Sequence, residues 1–384
     1  AADQAVSEEI RVEAMDALMA WKNPSDIDRL SGQYRPVEKR PSLDFTEHLS
    51  QCLQDLFSGT EKVKIKAAGL VTFFEVEAAV DLLWTRVNDV EEEPGARAAS
   101  LKALFGLHDP TLKDCVGALV RDGNAAVRKV ARTILATIDP AEAVAEAEYV
   151  LQGDSTDEQQ QVIEMLCQLS STKADSVLLK ALRLQLTADA HSPITLDLLE
   201  VAKRRGVKSL ADAAGEIENK RNPEDPLGNY RECLSGGNVE YGEKVFFKNK
   251  KVTCVRCHMV NERGGSVGPN LSKVGREKTA EYLLESIVLP SAKISPGYST
   301  VQFLMATGRV QSGVIKKEEA DHFVIQNADG DLLTLHKDDV DEMQAGLSGM
   351  PADLVKQLSK REVRDLVAYL SSLVEEKKRS AHFE

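Results

Sequence analysis

Five consecutive residues, Cys254-Val255-Arg256-Cys257-His258, constrain this chain more than any other stretch. They read C-x-x-C-H, the attachment signature of a c-type haem. In that chemistry two thiols add across the vinyl groups of the ring, and the adjacent histidine becomes the proximal iron ligand. The spacing lets both cysteines reach one edge of the ring while the next residue turns beneath the iron. Three other readings share the letters. A thioredoxin-like redox pair also uses C-x-x-C, but it wants a βαβ setting and nothing from the histidine. A zinc half-site needs a further ligand cluster, and the sequence offers no second one. Any five-residue pattern also occurs by chance.

At 384 residues the chain calls for two or three domains. Its 42% hydrophobic and 28% charged content suits globular domains. No run of about 18 apolar residues is present, so no membrane span is expected. The chain starts Ala1-Ala2-Asp3, which reads as a processed mature end or a piece of something longer. Two of the six cysteines belong to the motif. Cys52, Cys115 and Cys167 sit singly in helical patterns and are expected as buried apolar thiols, while Cys233 stands in a loop-like stretch. This is no disulfide framework. From residue 228 onward 22 basic residues balance 22 acidic ones, so the net charge of −13 resides in the first 227. An acidic N-terminal part argues against nucleic acid as a partner.

Residues 1–225 read as helical and repetitive. Arg11-Val-Glu-Ala14, Arg97-Ala-Ala-Ser100 and Arg128-Lys-Val-Ala131 each run through helically spaced apolar residues to a proline, Pro24, Pro110 or Pro140. Lys64-Ile-Lys-Ala67 begins a weaker copy, and apolar helices at 160–169 and 193–201 continue the rhythm. The steps Lys64 to Arg97 and Arg97 to Arg128 are 33 and 31 residues. A period in the thirties with two helices per unit predicts an α-solenoid, and an irregular helical bundle is the alternative. Asp122-Gly-Asn-Ala-Ala-Val127-Arg128 resembles the HEAT-repeat pattern. The Pro- and Gly-rich stretch Trp21–Pro36 is expected as an ordered loop. His48, His108 and His191 are isolated and read as surface or capping residues. The expected role of this part is scaffold or docking.

Asn222-Pro-Glu-Asp-Pro226-Leu-Gly228 reads as a linker, which sets the boundary between a helical repeat domain, 1–225, and a second domain, 226–384. Helices are expected at Val239–Lys248 and Ser359–Leu373, the latter with Ser359 and Glu362 as a capping box. This second domain resembles class I cytochromes c, in which the first and last helices cross through a small residue and an aromatic. Gly242 and Phe246 against Tyr369 would be that crossing. The resemblance implies that the carbonyl of Pro269, in Gly268-Pro269-Asn270-Leu271, holds the far nitrogen of the proximal histidine. Candidates for the sixth ligand are Met305, Met343, Met350, His322 and His336. Met350 leads because it stands in an irregular loop, Gly346-Leu-Ser-Gly349-Met350-Pro351, and Met-Pro is the family form; Met343, expected as a core residue, is second. The 92 residues from His258 to Met350 are long for a small cytochrome. Four short strands, 300–306, 309–316, 322–326 and 332–336, predict a β-module inserted at 298–344.

The motif series Cys254–His258, Val267-Gly-Pro-Asn-Leu271, Val274-Gly-Arg276, Tyr282–Ile287, Pro290-Ser291, Pro296-Gly-Tyr298, Gly308-Arg-Val310, Gly313, Met350-Pro351 and Leu366–Leu370 closely resembles the haem-binding domains of large exported planctomycete and verrucomicrobial proteins. The resemblance covers about 240–373, and the Trp21–Pro36 stretch is similar to a connector in the same proteins. In that family a sugar-dehydrogenase-like β-propeller often lies upstream. None is present here, which reads as a C-terminal fragment or a member without the enzyme. The expected fold is therefore mainly α: a HEAT-like α-solenoid, then a cytochrome c-like domain with an inserted β-module.

The expected cofactor is one covalent haem c, attached at Cys254 and Cys257 and ligated by His258 and Met350. The expected function is a periplasmic electron carrier rather than an enzyme, relaying electrons from a dehydrogenase, possibly of sugars, toward the respiratory chain. The alternatives are a haem peroxidase or gas sensor with a labile sixth ligand, and a solenoid scaffold with auxiliary haem. Lys244, Lys248, Lys250, Lys251, Arg256, Arg263, Lys273, Arg276 and Lys278 either steer an acidic redox partner or form a solvated surface.

Overall fold

The computed structural model describes residues 1–375 apart from 22, 29–30, 37–44 and 188–191. His191, and Lys22 and Arg29 of the expected connector loop, lie outside the described residues. The chain is mainly helical and divides into two compact units, 1–174 and 175–384.

The first unit holds α1 (Glu8–Met19), α2 (Thr46–Phe57), α3 (Glu61–Phe73), α4 (Val80–Asn88), α5 (Pro94–Gly106), α6 (Leu112–Leu119), α7 (Ala125–Ile138), α8 (Pro140–Val150) and α9 (Thr156–Gln168). Helices α1, α3, α5, α7 and α9 pack in succession, and α2, α4, α6 and α8 each pack on the next odd-numbered helix. The basic residues at the starts of the expected repeats each bond to a neighbouring segment. Lys64 Nζ lies 2.6 Å from Glu92 and 2.7 Å from Glu93. The buried Arg97 donates to Val87 O and to both oxygens of Asp122, and Arg128 donates to Asp122 O and Glu158. Pro140 ends no helix in the expected way. It opens α8 at a position whose N–H would be unpaired anyway, with Asp139 as N-cap. Among the histidines, His48 and His108 are exposed.

The second unit begins within α10 (Thr172–Thr187) and continues with α11 (Thr195–Arg205) and α12 (Lys208–Asn219). The division thus falls some fifty residues before the compositional linker. The reason is bonding across the linker: Arg364 pairs with Asp197 at 2.6 Å, Arg221 with Glu232 at 2.7 Å, and Leu196 sits in the core of the C-terminal helices.

That core is built by α13 (Val239–Lys248), α16 (Ala280–Val288) and α17 (Lys360–Ser372). The capping box of Ser359 and Glu362 is present. Helices α13 and α17 cross at Gly242, where a Cβ would lie 2.0 Å from Asp365 O and 2.6 Å from Tyr369 Cβ. Only glycine permits so close an approach. One turn on, Phe246 packs on Tyr369 with ring centroids 5.8 Å apart.

Between α16 and α17 the chain forms β3 (Ser299–Met305), β4 (Val310–Glu318), β5 (His322–Gln326), β6 (Leu332–His336) and β7 (Val340–Ser348), an antiparallel sheet ordered β6-β5-β4-β3-β7. Its small core is Phe303, Phe323, Ile325 and Leu335. The sequence predicts four strands; the fifth, β7, is an edge strand with almost no buried position and so carries no alternating apolar signal. Met343 lies on β7 and is 45% exposed, not a core residue. The first half of the expected Met350 loop, residues 346–348, belongs to the same strand. The cysteines also differ from expectation. Cys52, Cys115 and Cys167 are half-buried on their helices, whereas Cys233, in the turn Arg231–Cys233, is fully buried and its thiol is pushed up to about 12 by burial.

Candidate haem-binding site

The motif folds as a single helical turn, α14 (Cys254–Cys257), entered through Thr253 in the left-handed region at φ 42° and left through an extended His258. A two-residue turn follows. Asn261 and Glu262, both at positive φ, join β1 (Met259–Val260) to β2 (Arg263–Gly264), the geometry of a tight primed hairpin turn. The returning chain is laced to the motif by Gly265 N to Val255 O at 2.9 Å, Gly268 N to Cys257 O at 2.8 Å and Leu271 N to Met259 O at 2.8 Å. A short helix, α15 (Val274–Glu277), then leads to α16. No βαβ unit surrounds the cysteine pair, so the thioredoxin reading loses its setting.

His258 Nδ1 lies 3.0 Å from the carbonyl oxygen of Pro269. A carbonyl only accepts, so this nitrogen carries the proton and Nε2 keeps its lone pair. The ring is also confined sterically: a Cβ at Gly268 would lie 2.6 Å from its Cε1. Burial lowers the pKa of His258, against the opposing bond to Pro269. The imidazole is thus a neutral, oriented, single-tautomer donor. Cys254 is half-buried, and burial pushes its thiol up to about 11. Phe247, Cys254, Val255, Leu271 and Val274 stand partly exposed on the helical core.

These residues fit a c-type haem. They offer two thiols one helical turn apart, a histidine with Nε2 available, and an apolar surface for the ring. A zinc centre fits less well. Among the described residues the donors that gather within 4.8 Å of one another are Glu319, Asp321 and His322, not those of the motif.

Cys254, Cys257, His258 and Pro269 are therefore joined in one loop system. Met350 belongs to a separate loop two residues beyond β7, half-buried, with its N–H donated to Ser348 Oγ at 3.2 Å. The other sixth-ligand candidates lie on the sheet. Met305 packs against its core, and His322 pairs with His336 across β5 and β6 with rings 6.3 Å apart. The nine basic residues near the motif are all exposed.

Two supports escaped sequence reasoning. Buried Ser272 receives Asn261 N–H at 2.8 Å and donates to Asn270 Oδ1 at 2.7 Å, which locks the loop that carries Pro269. The Asn-x-Ser spacing of an Asx turn is the signal that could have found it. Arg256, inside the motif, pairs with Asp329 at the β5–β6 turn at 2.8 Å, and nothing in the sequence announces that contact.

No curated protein matches the chain. The family model described as cytochrome c matches residues 239–374, from the first residue of α13 to just past α17, with the sheet inside the match. That segment is accordingly a cytochrome c domain, for which haem c binding and electron transfer are the implied properties.

Proposed function

We propose that this chain is a one-electron carrier working outside the cytoplasm, with one haem c attached at Cys254 and Cys257 and ligated by His258 and Met350. The observation that carries this reading is the His258–Pro269 bond, which holds the imidazole in the one tautomer that presents Nε2. Bound haem supplies the redox couple. The chain's own residues do the rest. The His258 imidazole and the Met350 thioether would together hold the iron, which would leave no place for substrate and would favour the reduced state. Phe247, Val255, Leu271 and Val274, partly exposed on the helical core, would offer the ring an apolar surface. Exposed Lys244, Lys248, Lys273 and Lys278 favour an acidic partner, with an on-rate that falls with salt.

The donor in this reading is a periplasmic dehydrogenase, and the acceptor a respiratory component. Thioether attachment requires an exported chain, hence the periplasm. No described helix is long and apolar enough to cross a membrane. For residues 1–174 we propose a HEAT-like solenoid that docks a protein, supported by the succession of odd-numbered helices and the Lys64, Arg97 and Arg128 ladder.

The test is spectroscopic, on protein matured with a c-haem assembly system. A c-type pyridine haemochrome is expected, with a weak far-red ferric band that Met350→Ala abolishes. A wild-type spectrum that is high-spin, or a band that survives Met350→Ala, refutes the ligand set. Prompt carbon monoxide binding by the wild-type ferrous protein would instead support an open-site peroxidase or gas sensor.

A further inference from the structure

The inserted sheet is continuous with the loop that carries Met350, and that junction is irregular in a specific way. Strands β3 and β7 pair Ser299 with Ser348 and Val301 with Ala345. One residue on β3, Thr300, therefore faces two on β7, which is a bulge at residues 346–347. A bulge takes a carbonyl out of the ladder. At this one, Leu347 O accepts the Thr300 hydroxyl. The fit leaves no room for a side chain at 346, where a Cβ would lie 2.2 Å from Thr300 Oγ1. The Thr300 methyl packs against Gly349, 3.6 Å from where its Cβ would be.

A second tie comes from the helical core. Ser291, in the turn after α16, accepts Ser348 N–H at 3.1 Å. Ser348 Oγ in turn accepts Met350 N–H at 3.2 Å. Two anchors thus converge on the Leu347–Ser348 peptide group, next to Met350: Thr300 from the sheet, on the Leu347 carbonyl, and Ser291, on the Ser348 N–H, from the segment that follows Leu283, Leu284, Ile287 and Val288 in the core.

We propose that the β3–β7 bulge is the device that positions the sixth ligand, with Thr300 and Ser291 as positioning residues that hold Met350 on the iron. The sheet is then a strut for the distal ligand rather than a neutral insertion. This rests on the His258/Met350 reading. Bulges recur where a chain must re-aim a side chain next to a functional centre. A loop with two short tethers also loses less conformational entropy when its thioether binds than a free loop would.

The experiment compares holoprotein of wild type, Thr300→Val, Thr300→Ser, Ser291→Ala and Met350→Ala. Valine keeps the β-branch and shape of threonine and removes the hydroxyl; serine restores the hydroxyl. The readouts are the far-red ferric band and the rate at which carbon monoxide binds the ferrous protein, with far-UV circular dichroism as the check on the sheet. Removing one such hydrogen bond should speed carbon monoxide binding about threefold to tenfold in Thr300→Val and in Ser291→Ala, and weaken the band in both. Thr300→Ser should match wild type. Ser291 lies outside the sheet, so its variant carries the test if Thr300→Val fails to mature. A change of less than about twofold where Met350→Ala abolishes the band overturns the positioning role alone. A band unaltered by Met350→Ala overturns the ligand reading and this proposal with it.

Discussion

Replacing Asp197 by alanine is the sharpest test of how the second unit is held together. Arg364 and Asp197 are 6% and 4% exposed, with Nη1 and Oδ2 at 2.6 Å and Nη2 and Oδ1 at 3.4 Å. Arg364 Nε has no hydrogen-bond acceptor, and its nearest other carboxylate, Asp365, is 3.9 Å away with its pKa raised by burial. Asp197→Ala thus leaves a guanidinium buried and poorly compensated. Stranding one member of such a pair destabilises by about 3–5 kcal/mol. At a urea slope of about 2 kcal/mol/M that is a midpoint shift of roughly 1.5–2.5 M. Both tryptophans, Trp21 and Trp84, lie in the first unit, so Soret absorbance reports the second unit and tryptophan fluorescence the first. The Soret transition should move and the fluorescence transition should not. Adding Arg364→Met removes the stranded charge and should recover most of the loss. A Soret shift below about 0.3 M, or a double variant no better than Asp197→Ala, refutes the reasoning.

Two further outcomes follow from geometry. Gly242→Ala must push α13 and α17 apart by more than 1 Å to clear Asp365 O, now 2.0 Å from the new Cβ. Overpacking of that size destabilises by about 2–3 kcal/mol and should lower the melting temperature of the Soret transition by about 4–10 °C; a change under about 2 °C would sink the crossing argument. Glu92 supplies a pH test in the first unit. Burial acts to raise its pKa, but hydrogen bonds with Glu93, Lys64 and Arg86 outweigh it and bring it from 4.5 to about 2. A depressed carboxylate stabilises the fold above its unfolded pKa and loses that stabilisation as pH falls through its folded one. The stabilisation these bonds supply should therefore be lost progressively as pH falls from 4.5 to about 2. Urea midpoints read by tryptophan fluorescence should show this fall in wild type and a flatter profile in Glu92→Gln; equal slopes would contradict it.

The helices and the attachment loop were largely legible because their signals are local. Val239–Lys248 and the Ser359 capping box follow from periodicity and end chemistry, and four of the five strands from alternation and turn residues. Strand β7 was not legible, since an exposed edge strand has no buried face to write into its sequence. The cysteines were misjudged for a related reason. A helical pattern shows which face a thiol occupies but not whether another element covers it, so Cys52 is half-exposed while Cys233, beside Tyr230 and under Lys360 O, is sealed.

The sequence alone determined the chemistry available to this protein. Two thiols at a three-residue step followed at once by a histidine can be read without coordinates, because covalent attachment and ligation are set by residue type and spacing along the backbone. Tertiary structure decided what orients and confines that chemistry. The tautomer of His258 depends on a carbonyl eleven residues away, the path of Met350 on a bulge against Thr300 forty-seven residues from Leu347, and the extent of the second unit on an ion pair between residues 167 apart. Each is a contact between segments distant along the chain, and only packing brings those segments together.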